Sequence, residues 1–293
     1  MWVLFAVIAS IVNAIYYLCN QNIRLQPSVF MIYRGIVVAL MAIPFLFFYS
    51  PIEAWQFYGI AILQGSITAY SDLMTLKANR KYGAETVSSI MPINVGLVFM
   101  IWCLIEPMII VSYLYSPIKT LLILLSMFGI AFALVQYRHV KITKEAFIFL
   151  LPVMLLSSMI SIFNKTIMAY ALDSLYGLCF WRIFVSSLTV GLIHLIIYTI
   201  RKRPFAPLFE IENLKKIWIF AFMPMSMLCR NMAMFGSANP SYVTSIVQTS
   251  LLWIIFFNRH IHFIQFKKMY MPMNKKWAFL VLVSAIVLIL TTH

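Results

Sequence analysis

Long apolar stretches separated by short polar breaks follow one another along the whole chain. Breaks at charge clusters, proline and asparagine divide it into ten apolar segments, which lie at about 1–19, 28–49, 55–76, 84–106, 117–137, 146–170, 176–200, 216–235, 241–258 and 276–291. Several reach the roughly 20 residues that a helix needs to cross a bilayer. Because lipid cannot hydrogen-bond to the backbone, each segment is predicted to be a helix. The pattern predicts an all-α integral membrane protein with ten transmembrane helices.

The composition is that of a chain surrounded by lipid. Hydrophobic residues make up 63% of the 293 residues and charged residues 10%, and the mean hydropathy is +0.94. A soluble domain carries about 25% charged residues, so this chain cannot cover a water-facing surface. The lipid bilayer is therefore an expected partner. The net charge of +14 bears on membrane orientation, and nucleic acid is not an expected partner.

The chemistry-bearing residues form no recognisable metal, nucleotide or cofactor motif. The four cysteines lie singly in or beside apolar runs, and the five histidines are not at zinc-binding spacing to them. A Gly-x-x-x-x-Gly-Lys nucleotide loop is absent. We therefore expect no metal, no cofactor and no ATP hydrolysis. The first apolar segment has no basic residues before it, so it is expected to remain as the first helix.

Two arginines inside apolar runs indicate an internal repeat. Arg34 lies in FMIYRGIVVAL, in the second segment, and Arg182 lies in LCFWRIFVSSL, in the seventh. Segments four and nine also share a pattern, VSSIMPINVGLVF (87–99) and VTSIVQTSLLWII (243–255). We therefore predict that Arg34 and Arg182 occupy matched places in two copies of one unit.

The repeat divides the chain into two five-helix units, residues 1–140 and 141–293. Because five is an odd number, the second unit must enter the membrane from the opposite side. An inverted repeat of this kind is typical of carriers whose site lies near the bilayer midplane, between the two repeats.

Further short motifs follow the same ten-helix pattern. Pro92 lies in segment four, which ends at Glu106 in LIEP, and FNK (163–165) lies near the end of segment six. With the five-plus-five repeat, these motifs resemble the EamA-type carriers of the drug/metabolite transporter (DMT) superfamily. The resemblance implies a ten-helix carrier of small metabolites. The second half departs from the family's pattern, with Gln248 where proline is common and no glutamate in NRHIH (258–262).

Basic residues are concentrated on one side of the predicted membrane. The odd-numbered loops hold 17 of the 22 Lys and Arg residues: Arg24, Lys77, Arg80, Lys81, Arg138, Lys141, Lys144, Arg201, Lys202, Arg203, Lys215, Lys216, Arg259, Lys267, Lys268, Lys275 and Lys276. This bias predicts that these loops are cytoplasmic and that both termini are not. The resemblance implies cytoplasmic termini instead. Because basic loops act directly on the chain during insertion, we predict a multi-pass protein of the cell (inner) membrane with non-cytoplasmic termini.

Several polar residues lie inside the predicted spans. Placing an arginine or aspartate at mid-helix costs about 2.5 kcal/mol or more, so such residues usually face a cavity or a polar partner. Segment three carries a polar stripe at helical spacing, formed by Gln64, Thr68, Ser71 or Asp72, and Thr75. The predicted substrate-binding residues are Arg34, Asp72, Arg182, Arg230, Gln64, Tyr70, Asn231 and Gln248.

Structural roles are the alternatives for the charged residues. Arg34 lies close enough to Pro27 for its side chain to extend towards lipid headgroups. Asp72 could neutralise Arg34 or Lys77 and hold two helices together. In either case the residue would stabilise the helix bundle without contacting a substrate.

The function expected from these features is secondary active transport. Three embedded arginines against one aspartate favour an anionic or zwitterionic solute, such as an amino acid or a related small polar organic metabolite. Alternating access would be driven by a proton or by exchange for a counter-solute, and the chain is not expected to be an enzyme. The alternatives are a membrane-embedded enzyme acting on lipid headgroups and a non-transporting membrane subunit. The sequence indicates no oligomeric state.

Overall fold

The computed structural model describes residues 1–20, 25–82, 86–87, 90–136, 143–171, 174–260 and 275–292, and this part of the chain contains helices and no strand. The α-helices are α1 (Trp2–Asn20), α2 (Pro27–Leu46), α3 (Trp55–Tyr82), α4 (Asn94–Ile105), α5 (Pro107–Tyr115), α6 (Pro117–Gln136), α7 (Lys144–Ile167), α8 (Leu175–Ile200), α9 (Ala206–Phe209), α10 (Ile211–Leu214), α11 (Phe222–Gly236), α12 (Pro240–Gln248), α13 (Ser250–His260) and α14 (Lys275–Thr292). Short 3₁₀ turns at Met91–Ile93, Met168–Tyr170 and Ile217–Ala221 extend α4, α7 and α11. The boundary predicted between the two repeats falls at 137–142, outside the described residues.

Six helical stretches are long and apolar enough to cross a membrane. They are Trp2–Asn20, Pro27–Leu46, Pro117–Gln136, Lys144–Tyr170, Leu175–Ile200 and Ile211–Gly236. The α4–α5 pair adds a seventh if its two helices are counted as one span. The prediction of an all-α multi-pass membrane protein is therefore confirmed. Length and hydropathy in the described residues give six or seven spans, which is fewer than the ten predicted.

The four remaining predicted segments are helical, and each differs from a regular apolar span for its own reason. α3 is 28 residues long, but its polar stripe lowers its hydropathy. α4 and α5 meet at Glu106 with a bend of 103°, so α5 does not continue α4 in a straight line. Segment nine is interrupted at Thr249, between α12 and α13, and α14 is short.

The α2 and α8 helices cross in direct backbone contact at two glycines. A Cβ atom at Gly35 would overlap the backbone nitrogen of Gly191, and one at Gly191 would lie 2.9 Å from the nitrogen of Ile36. Only glycine leaves room for this approach. The helices run antiparallel, because Phe45 stacks on Phe180 on one side of the crossing, while the loop after α8 meets the start of α2 on the other.

This crossing changes the match predicted for the two arginines. Arg34 is adjacent to Gly35, whereas Arg182 is nine residues from Gly191, or about 13 Å along a helix. The two arginines therefore lie at unequal distances from the point where their helices meet. The predicted match of the two arginines does not coincide with the point where the helices cross, because the spacing of one residue type does not define the register of two helices.

Candidate functional site

Arg182 is the centre of a buried polar cluster within the helix bundle. Its side chain is 4% exposed. Its Nε donates a hydrogen bond to Oε1 of Gln64 on α3 at 3.1 Å, and its Nη1 donates to Oδ1 of Asn231 on α11 at 2.6 Å. The charge of Arg182 is thus partly satisfied by two neutral amide oxygens.

Gln64 connects this arginine to α7. Its amide nitrogen donates to Oδ1 of Asn164 and, at 3.4 Å, to the carbonyl of Ile160. Because its oxygen accepts from Arg182 and its nitrogen donates to α7, the amide can take only one orientation. Gln64 and Asn164 are both almost completely buried, so this contact holds α3, α7 and α8 in fixed relation.

Arg230 occupies the other side of the same cluster. Its Nη2 donates to Oγ of Ser161 on α7 at 2.9 Å. Its Nε is buried and has no hydrogen-bond partner, and the same is true of Nδ2 of the neighbouring Asn231, whose side chain is 0% exposed. Buried donors of this kind are uncommon in folded proteins and call for a specific explanation.

No carboxylate among the described residues forms an ion pair with Arg182 or Arg230. Their acceptors are amide and hydroxyl oxygens, which carry no charge. Removing a cation from water is costly unless an anion compensates it. The cluster therefore carries two positive charges that the described part of the protein leaves uncompensated.

Arg34 and Asp72 form a separate pair at a different depth. Nη1 of Arg34 on α2 donates to Oδ2 of Asp72 on α3, and the side chains are 20% and 30% exposed. Measured from the end where α2 begins and α8 ends, Arg34 lies about 10 Å along its helix and Arg182 about 27 Å along its own. About 17 Å of helix thus separates the ion pair from the level of Arg182.

Tyr17 on α1 is near both groups, close enough to Asp72, Arg34 and Arg230 to interact electrostatically with all three. Its side chain is 49% exposed. The neighbouring Tyr16 is 7% exposed and packs in an apolar cluster. We interpret Tyr17 as a residue that lines open space between the ion pair and the arginine cluster.

Three of the eight predicted site residues, Gln64, Arg182 and Asn231, come together in one hydrogen-bonded group. Arg230 is adjacent in the chain to Asn231 and bonds to Ser161 on α7 instead. Tyr70 lies elsewhere, on the exposed face of α3 that also bears Leu63. Gln248 lies at the end of α12 and takes no part in these hydrogen bonds.

The sequence interpretation did not assign a site role to Asn164 or Ser161, whereas it named Tyr17 among the aromatic residues that could line the path. Asn164 belongs to the FNK stretch that contributed to the family resemblance, so it carried a weak signal. Ser161 carried none, because serine is frequent throughout the helices. Their positions depend on contacts between helices that are distant in the chain.

Lys165 has a structural partner at the end of α11. Its Nζ donates to the carbonyls of Met234 at 2.9 Å, Phe235 at 3.4 Å and Ser237. These carbonyls have no partners within the helix, and a cation there also interacts favourably with the helix dipole. Lys165 therefore fastens α7 to the C-terminal end of α11, just beyond Arg230 and Asn231.

A comparison with models of known protein families finds no match to this chain, and a search of curated proteins also finds none.

Proposed function

We propose that this protein is a secondary active transporter of a small polar organic solute that is anionic or zwitterionic. The observation that carries the proposal is the pair Arg182, which is buried, and Arg230, which is partly buried, with no carboxylate among the described residues paired to either. Arginine in a membrane span usually faces an interior path or a binding site. An anionic solute would supply the charge that the cluster needs, and it would occupy the space that Tyr17 borders.

Two antiparallel helix pairs, α2 with α8 and α6 with α14, support an inverted repeat. In the second pair, Phe132 packs against Trp277 while Gly129, earlier on α6, meets Ser284, later on α14. A two-fold axis in the membrane plane brings a helix against its own counterpart, and the two must then be antiparallel.

Gly35 meets Gly191, 156 residues later, and Gly129 on α6 meets Ser284 on α14, 155 residues later. The matched motifs at 87–99 and 243–255 are also 156 residues apart. One spacing of about 156 residues therefore relates three regions of the two halves.

The remaining helix contacts support the same symmetry. α1 packs against α11, and its counterpart is the packing of α7 against α3. α4 contacts α7, and correspondingly α12 contacts α1. The ten spans of the proposal are α1, α2, α3, bent α4–α5, α6, α7, α8, α11, interrupted α12–α13 and α14. The proposed ten-span arrangement resembles that of the EamA-type carriers of the DMT superfamily, and we propose a rocking motion of one half against the other as the transport step.

The proposal includes an orientation in the cell membrane. The basic loops are cytoplasmic and both termini are not, because 17 of the 22 basic residues lie in the odd-numbered loops. A cysteine introduced at Thr292 should react with an impermeant maleimide added to intact cells. The native cysteines are all buried, so their background labelling should be low. If labelling requires cell lysis, the proposed orientation is wrong and the C-terminus is cytoplasmic.

Flux measurements test the transport function. Purified protein in proteoliposomes should move a radiolabelled anionic or zwitterionic solute down its gradient, or exchange it for internal solute, faster than protein-free vesicles. Candidate solutes are chosen by their ability to raise the apparent unfolding temperature of the purified protein, since a ligand that binds the native state stabilises it. Binding without flux would indicate a non-transporting subunit. Chemical conversion of vesicle phospholipid would indicate an enzyme.

A further inference from the structure

We infer that the solute is a dianion, either a dicarboxylate or a phosphate monoester, whose two negative charges lie between Arg182 and Arg230. This inference rests on the proposed transport function, because it names the chemistry that the same site recognises. Dianions are a narrower class of solute than the anionic or zwitterionic solutes of the proposed function. The inference does not depend on how transport is driven.

The charge of the described residues favours two negative charges over one. Arg34 and Asp72 neutralise each other, and Lys165 is held by backbone carbonyls at the end of α11. The excess positive charge of the cluster itself is therefore that of Arg182 and Arg230. A monoanion would leave one guanidinium uncompensated inside the helix bundle, which is costly. A dianion compensates both.

Arg182 and Arg230 are close enough to interact electrostatically, and their contacts involve the same four helices. Arg182 donates to Asn231, and Arg230 is the next residue on α11. On α7, Ser161 accepts from Arg230, and Asn164, one helical turn further, accepts from Gln64, which itself accepts from Arg182. The contacts form a ring through α3, α7, α8 and α11. The two arginines lie on that ring.

The unpartnered donors indicate where the solute's oxygens belong. Nε of Arg230 and Nδ2 of Asn231 are buried and lack acceptors. Both are donors, so only an acceptor can satisfy them. Carboxylate and phosphate oxygens are the acceptors that arginine binds most strongly, through charge-assisted hydrogen bonds. One charged end of the solute would therefore contact Arg230 and Asn231.

A zwitterion fits this cluster less well than a dianion. Its amino group would require an anionic partner near the arginines. Among the described residues, the carboxylates on α3, α7, α8 and α11 are Asp72 and Glu145. Asp72 is paired with Arg34 at a different depth, and Glu145 lies in the first turn of α7, far along the helix from the cluster. An ammonium group placed between Arg182 and Arg230 would be repelled by both.

Binding to the wild-type protein over a range of pH tests the inference. The probes are succinate, glycerol phosphate, propionate and alanine, and their dissociation constants are obtained from thermal stabilisation of detergent-purified protein. At pH 7.5 we expect succinate or glycerol phosphate to bind at least about tenfold more tightly than propionate or alanine. The two dianions are separate arms, so the result also shows which of the two groups the site prefers.

The pH dependence of binding shows whether the site recognises the charge of the solute or only its shape. A phosphate monoester loses its second negative charge below a pKa of about 6, whereas arginine remains charged throughout this range. Binding of glycerol phosphate should therefore weaken as the pH falls from 7.5 to 5, while binding of propionate changes little. Equal affinities for dianions and monoanions at pH 7.5, or no binding of either dianion, would overturn the inference.

Single arginine variants give a second readout. Arg182→Gln and Arg230→Gln each remove one charge, so each should lose the preference for dianions over propionate. Arg203→Gln is the matched control, because Arg203 lies after α8 and contacts Ser28 at 3.4 Å. If both variants fail to fold, the wild-type pH series still decides. Flux of a monoanion or zwitterion without a dianion preference would overturn this inference and leave the carrier function standing.

Discussion

The interior of this protein contains two arginine sites that differ in their counter-ions. Arg34 is paired with a carboxylate from the neighbouring helix. Arg182 has an almost fully buried side chain and only neutral acceptors, and it shares its surroundings with Arg230. The first site is electrostatically complete within the described part of the protein, and the second is not.

The difference shows that a charged residue inside a membrane span does not by itself identify a binding site. A pair such as Arg34–Asp72 satisfies both groups and holds α2 against α3. An uncompensated pair such as Arg182 and Arg230 raises the free energy of the protein as long as no anion is bound. Binding of an anion removes this cost, and the binding free energy becomes more favourable as a result. The comparison can be tested by introducing a carboxylate next to Arg182 and by removing the carboxylate next to Arg34.

The largest effect is expected from Gln64→Glu. This substitution places a carboxylate where the amide oxygen of Gln64 now accepts from Nε of Arg182 at 3.1 Å. It would make the second site resemble the first. We expect anion affinity to fall by about 100-fold, the equivalent of roughly 2.7 kcal/mol. Thermal unfolding with and without ligand measures this change.

Gln248→Glu is the matched control for this substitution. It makes the same amide-to-acid change at a predicted site residue that lies outside the cluster. It should leave anion affinity within about twofold of wild type. Unchanged anion affinity in Gln64→Glu would show that Arg182 does not hold the ligand.

The second test removes the counter-ion from the complete site. Asp72→Asn leaves Arg34 without an anion, which should lower the free energy of unfolding by about 2 kcal/mol, allowing for the partial exposure of the pair. The double variant Arg34→Gln/Asp72→Asn removes both charges and should recover most of this loss. Unfolding in mixed micelles measures the stability of each variant. The stabilisation that an added ligand produces measures anion binding at the Arg182 and Arg230 site.

Anion binding should persist in both of these variants. If the double variant regains stability but has lost transport in proteoliposomes, Asp72 has a role in transport beyond its pairing with Arg34. That result would support the polar stripe of α3 as part of the solute path.

A third comparison replaces one arginine of each site with lysine. Arg34→Lys keeps a cation next to Asp72, so solute affinity and transport should stay within about threefold of wild type. Arg182→Lys keeps the charge but loses the planar group that donates to Gln64 and Asn231 together, so affinity should fall by about tenfold or more. Equal losses in the two variants would contradict the distinction between the two sites.

The smallest effect is expected at Tyr17. Tyr17→Phe removes the hydroxyl near Arg34 and Arg230, and solute affinity should weaken by about fivefold, the scale of one hydrogen bond. Tyr16→Phe is the control, because Tyr16 is also close to Arg34 and Asp72, whereas Tyr17 is the tyrosine that interacts with Arg230. A larger loss in Tyr16→Phe than in Tyr17→Phe would show that Tyr17 does not border the solute.

The sequence by itself determined where the helices lie along the chain and that the protein is a membrane protein. Apolar runs of helical length predict spans, and the observed bounds of α1, α2 and α8 lie close to the predicted ones. The stripe on segment three also predicted correctly which side of α3 has polar partners, since Gln64, Ser71 and Asp72 bond to α7, α8 or α2. These features depend on local periodicity, which the sequence displays directly.

The tertiary structure decided which polar groups meet. The sequence left Asp72 with Arg34 or Lys77 as its partner, and only the packing of α3 against α2 selects Arg34. The register of α2 and α8 depends on the contact of Gly35 with Gly191, not on the two arginines. Gln64 meets Asn164 across 100 residues and Arg182 across 118. Because such contacts join helices that are distant in the chain, no local pattern reports them, and they are fixed only when whole helices pack.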